Sequence, residues 1–188
     1  LIYNNTDERL EYFIGGMLMS HIITLEDKEP KIDADTFIAD TAAVIGDVKL
    51  AKGVSIWYNT VLRGDDNTIT VGRYTNIQDN TTVHPQADQS MEIGDYVLIG
   101  HNAIIHGSKI GNGCLIGMGA MLLGYSEIGE NCIIGAGTLI TQNKKIPPNS
   151  MVYGNPAHIV RKVTPEEIAE VKEDVLGYYE NAKKQMER

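Results

Sequence analysis

The chain has 188 residues, enough for one domain, and carries 16 basic against 25 acidic side chains for a formal charge of −9. That excess of acid disfavours nucleic acid or an anionic membrane as a partner, and no basic stripe overturns it. No apolar stretch approaches the roughly 20 residues that cross a bilayer, and the short run Phe13 to Met19 follows acidic residues where a secretory leader needs basic ones. The expectation is a cytoplasmic protein with no membrane partner.

Residues 1–18 precede a methionine, Met19, and read as an N-terminal extension. Residues 19–163 read as one repeat domain, because a large aliphatic residue returns at every sixth position. The anchors are Ile32, Ile38, Val44, Leu50, Ile56 and Leu62; Val71, Ile77 and Val83; Ile93, Ile99 and Ile105; then Ile110, Ile116, Leu122, Ile128, Ile134, Ile140, Ile146 and Val152. Neither a helix, with period 3.6, nor an ordinary strand, with period 2, has this step. Four residues after the anchors the side chains are mostly small, among them Ala42, Thr60, Thr81, Ala103, Cys114, Ala120 and Cys132. Large and small inward positions in a fixed frame predict an all-β solenoid, a hexapeptide-repeat parallel β-helix with three hexads to each triangular coil. Cys114 and Cys132 occupy equivalent positions and read as buried thiols in a reducing compartment rather than a disulfide or metal pair.

Residues 164–188 read as a C-terminal helix. Thr164 caps it, Pro165 occupies the first turn and Glu167 completes a capping box. Ile168, Val171, Val175, Tyr178 or Tyr179, and Ala182 make one apolar stripe, which should lie along the outside of the solenoid.

The repeat breaks its step at three places: nine residues separate Leu62 from Val71, ten separate Val83 from Ile93, and five separate Ile105 from Ile110. Irregularity in a strict repeat marks a loop with a task, and histidine and charge cluster there. Counting anchors puts Leu62, Val83 and Ile105 on one edge, followed directly by Arg63, His84 and His106. Coils stack about 4.8 Å apart, so His84 and His106 become neighbours able to share an ion at bonds of about 2.0–2.1 Å. Ile77 and Ile99 fall on the preceding edge, with Asp79 and His101 two residues beyond them. His101 and His106 are separated by roughly 16 Å of extended chain and do not share an ion within one copy. A second copy presenting its His101 edge would complete a set of three histidines, and such a head-to-tail contact closes naturally as a trimer. His84, His101 and His106 are therefore the candidate metal ligands. His21 and His158 read as ordinary surface histidines.

Arg63-Gly64-Asp65 after a broken hexad, Asn76-Ile77-Gln78-Asp79, Val83-His84-Pro85, Gly100-His101-Asn102-Ala103-Ile104-Ile105-His106-Gly107 and Gly154-Asn155-Pro156-Ala157 together resemble the γ-class carbonic anhydrases and their bacterial homologues, over about residues 20–175. The resemblance implies a left-handed β-helix, a hand that the residues themselves do not give because parallel crossovers are generally right-handed. It also implies a homotrimer and a zinc or iron(II) site, with His84 and His106 from one subunit and His101 from its neighbour. The implied reaction is reversible hydration of CO2 to bicarbonate by water activated on the metal, three neutral imidazoles leaving the ion an open position. Arg63 and Asp65 would form a salt bridge between subunits, Gln78 would hydrogen-bond the nucleophilic water, Asp66 would relay protons, and Asn76 would support them. The family's best-studied branch carries a glutamate proton shuttle in a long loop after its first ligand. Here Pro85 to Ser90 is short and has no glutamate, so turnover is expected to be modest. Two alternatives share the solenoid: a hexapeptide-repeat acyltransferase or coenzyme A thioesterase, which needs no histidine ligands, and a catalytically silent assembly subunit.

Overall fold

The computed structural model describes residues 21–187; the expected N-terminal extension, residues 1–18, lies outside them. The anchors form three columns of in-register parallel partners. One runs Val44, Leu62, Val83, Ile105, Leu122, Ile140. The second runs from Ile38 through Ile56, Ile77, Ile99, Ile116 and Ile134 to Val152. The third runs from Ile32 through Leu50, Val71, Ile93, Ile110 and Ile128 to Ile146. The chain is a left-handed parallel β-helix of about seven coils with a single C-terminal helix.

The period of six follows from this geometry. Most faces are strands of two or three residues that send one large side chain inward, and the corners between them tuck in one small one. Ile56, Leu62, Ile77, Ile99, Ile105, Ile116, Leu122, Ile134 and Ile140 are fully buried, and so are the corner residues Ala42, Thr60, Thr81, Ala103, Cys114, Ala120 and Cys132. Burial of each large anchor contributes on the order of 1.5–3 kcal/mol, and a bulky corner residue would force the prism open. Both cysteines are free thiols in this core.

The breaks resolve in three different ways. The nine-residue step is no loop: Val61–Val71 is one continuous strand that turns a corner beside Ala43–Leu50, and the two join two faces of the prism into one sheet. The register jumps from Gly46 opposite Gly64 to Val48 opposite Ile69, so residues 65–68 bulge out against Asp47 alone. The ten-residue step contains a small turn closed by an isolated bridge between Gln86 and Gln89. The five-residue step is tightened by Gly107 at φ +61°, where a Cβ would lie 2.4 Å from the Gln86 side chain; glycine alone suits both conditions.

The helix Pro165–Met186 has the expected capping box, with the Thr164 hydroxyl accepting from the Glu167 N–H and the Glu167 carboxylate accepting from the Thr164 N–H. Its stripe buries Val171, Val175 and Ala182 against the face formed by Phe37–Ile38, Ser55–Ile56, Asn76–Ile77 and Leu98–Ile99. Trp57 fills the seam, 5.2 Å from the Phe37 ring and 5.9 Å from that of Tyr178. Tyr179 donates to Asp35 at 2.9 Å. Among the described residues no helix is long and apolar enough to cross a membrane.

Candidate metal centre

Strands Thr82–His84 and Ile104–His106 lie side by side, with His84 directly opposite His106. Both follow an inward anchor, so both project outward. The rings stack with centroids 5.4 Å apart and planes inclined by 5°, and their Nδ1 atoms are 3.4 Å apart. Two imidazoles on adjacent rungs need only ring rotation to meet one ion at bonds of about 2.0–2.1 Å, without backbone movement. Their donor chemistry suits zinc or iron(II).

The bulge at residues 65–68 supplies carboxylates to the same place. His84 Nε2 lies 3.0 Å from Asp65 Oδ1 and 3.4 Å from Asp66 Oδ2, and the donor atoms of Asp65, Asp66 and His84 all fall within 4.8 Å of one another. Arg63 pairs with Asp65 within the chain. Burial pushes the Asp65 carboxyl up, but hydrogen bonds from Arg63, His84 and the backbone outweigh it and hold the group below the usual carboxylate range. Lys28 donates to the Asp65 carbonyl and so ties the bulge to the turn at Leu25–Lys28. Sequence reasoning missed this lysine because it lies ahead of the repeat, where no periodicity fixes a register.

His101 stands on the preceding corner, and the contacts of the single chain do not join it to His84 or His106. Its Nδ1 is 2.9 Å from Asp79 Oδ2. Gln78, beside Asp79, is 2% exposed, and its Oε1 is buried with no hydrogen-bond partner. An acceptor left bare in this way costs about 1–3 kcal/mol. Asn76 takes a different place. It is fully buried on the face covered by the helix, where its Nδ2 donates to Ser55 Oγ at 2.8 Å, and Trp57 Nε1 donates to the same oxygen at 3.3 Å. In the short loop, Asp88 accepts a hydrogen bond from the Tyr125 hydroxyl at 2.7 Å.

The bacterial transferase hexapeptide (six repeats) family matches residues 90–124 and 107–142. A probable carbonic anhydrase of Methanocaldococcus jannaschii is 50% identical over 147 residues, covering 78% of this chain and 92% of that protein. A carbonic anhydrase of Geobacillus kaustophilus is 41% identical over 153 residues, covering 81% and 84%. The mitochondrial γ carbonic anhydrase 2 of Arabidopsis thaliana is 43% identical over 163 residues, covering 84% of this chain, which spans only 59% of the plant protein's length. The crystal structure of a hexapeptide transferase family protein from Anaplasma phagocytophilum superposes with a TM-score of 0.83 at 37% identity, covering 87% of this chain and 96% of that one. Identity of this extent to proteins matched over most of their length, on a solenoid that brings His84 and His106 together, assigns the chain to the γ-class carbonic anhydrase family of hexapeptide-repeat proteins.

Proposed function

We propose that the chain is a metal-dependent carbonic anhydrase, hydrating CO2 reversibly to bicarbonate at sites formed between the subunits of a homotrimer. The observation that carries this reading is the in-register pair His84 and His106 beside the acidic bulge. These two histidines would hold the ion on one subunit, with His101 supplied by the next; zinc or iron(II) would suit such a set. Bound there, the ion would supply acidification of a water near neutral pH, chemistry for which carbonic anhydrase is itself the type case.

The chain's own groups do the rest. Gln78 Oε1 accepts a hydrogen bond from the reacting water and fixes the direction from which it meets CO2, and a neutral amide does so without competing for the proton. Asp66, with 47% of its side chain exposed and 3.4 Å from His84 Nε2, takes up the released proton and hands it to buffer. Asp65 keeps the His84 ring oriented, and Arg63 balances the charge of Asp65. Asn76 braces the strand that leads into Gln78. The repeat domain, residues 19–163, would be the catalytic unit, and the helix Pro165–Met186 stiffens it. Free, buried Cys114 and Cys132 fit a reducing compartment such as the cytoplasm.

Metal analysis of anaerobically purified protein, followed by stopped-flow CO2 hydration with and without chelator, tests the reading. Chelator-sensitive hydration by protein carrying one ion per chain is the expected result. The likeness to a hexapeptide transferase family structure favours acyl transfer as the second reading. Transfer from acetyl coenzyme A that survives chelation, with no CO2 hydration, would replace the first.

A further inference from the structure

Asp79 and His101 occupy the same corner on successive coils. Ile77 and Ile99 are Cα partners, each of these two polar residues stands two positions further on, and the backbone continues the match, with Asn102 N–H donating to the Asp79 carbonyl at 3.0 Å. Their side chains therefore meet, Nδ1 to Oδ2 at 2.9 Å. A carboxylate facing Nδ1 selects the tautomer that carries its proton there, which leaves the Nε2 lone pair free. On the next coil the same corner position belongs to Met118, two residues past Ile116, which is 59% exposed among the described residues. Asp79 is the polar partner of His101 among the described residues, and it binds the nitrogen on the side of the previous coil.

We infer that Asp79 is a positioning residue that holds His101 in its Nδ1–H tautomer, so that Nε2 is offered outward as a metal ligand to the His84 and His106 pair of a second copy of this chain. The inference rests on the metal-site reading above. It adds the group that sets tautomer and ring direction before any ion arrives, and so reduces the ordering that the interface must impose on assembly.

The test uses the full chain, stripped of metal, with nitrogen-15 histidine spectra assigned through a His101→Ala variant. Wild-type His101 should show the Nδ1–H tautomer at alkaline pH. In Asp79→Asn, whose amide can donate to Nδ1, the population should move toward Nε2–H, and zinc affinity should fall about 10–100-fold. Asp79→Glu should recover part of both. A wild-type His101 already in the Nε2–H form, or an Asp79→Asn protein with wild-type tautomer and zinc affinity, overturns the role of Asp79. A wild-type protein that binds no zinc overturns the metal-site reading itself, and with it the inference.

Discussion

His84 and His106, 22 positions apart in the chain, face each other across one rung with their Nδ1 atoms 3.4 Å apart. The inward neighbours Val83 and Ile105 are fully buried and belong to the core, whereas the two rings point away from it. Removing a ring therefore leaves the solenoid intact. His106→Ala should lose stoichiometric metal while its far-UV spectrum and thermal midpoint without metal stay close to wild type. Elemental analysis that still finds one tightly held ion per chain in this variant would refute the ligand assignment.

Because His101 stands on a different corner from the other two, metal occupancy should depend on assembly. Light scattering should report a trimer. A stable monomer that keeps its full complement of metal would show that one chain suffices and would end the interfacial reading.

Gln78 and the proton acceptor should separate kinetically. Asp88 in the short loop is already engaged by Tyr125, so added imidazole buffer should raise CO2 hydration at fixed pH by accepting the proton that the loop does not collect. Gln78→Ala should depress hydration at every buffer concentration, because its defect lies at the nucleophile. Buffer rescue of the Gln78→Ala defect would contradict this division of labour.

The helix anchor should respond to acid. The hydrogen bond from Arg161, helped by the Thr164 N–H, lowers the Glu167 carboxyl to about 2, from an ordinary value of about 4.3. A depressed pKa means that the stabilisation is complete above the ordinary value and disappears as pH falls through the folded one. Helix ellipticity should therefore drop between about pH 4 and pH 2, and Glu167→Gln should remove that part of the titration. Salt should blunt the effect, since the group is exposed. A variant with an unchanged acid profile would show that other carboxylates govern it.

Much of this could be read from the order of residues, because a coil of fixed length turns counting into geometry. The three anchor columns and the pairing of His84 with His106 follow from counting the repeat's anchors, and the helix stripe from its own period of 3.6. The Asp79 contact with His101 was equally within reach, as both stand two places past matched anchors. What counting could not supply are the features outside the frame. The bulge at residues 65–68 depends on how Val61–Val71 pairs with Ala43–Leu50, and the same nine residues could have made a free loop. Lys28 reaches Asp65 from a turn with no repeat to align it, and Asn76 is diverted to Ser55 because the helix covers its face. Each is a decision of tertiary pairing, which local pattern does not encode.

The helix packs chiefly on the strands at Phe37–Ile38, Ser55–Ile56, Asn76–Ile77 and Leu98–Ile99. In a solenoid each coil answers only to its neighbours, so unfolding begins at whichever end is least restrained. The coils around Leu139–Ile140 and Lys145–Ile146 carry no such clamp, and their amides should exchange with solvent first. The strands bearing His84 and His106 sit among coils that the helix fastens together, so the rungs that hold the two imidazoles are among the last to part when the far end frays.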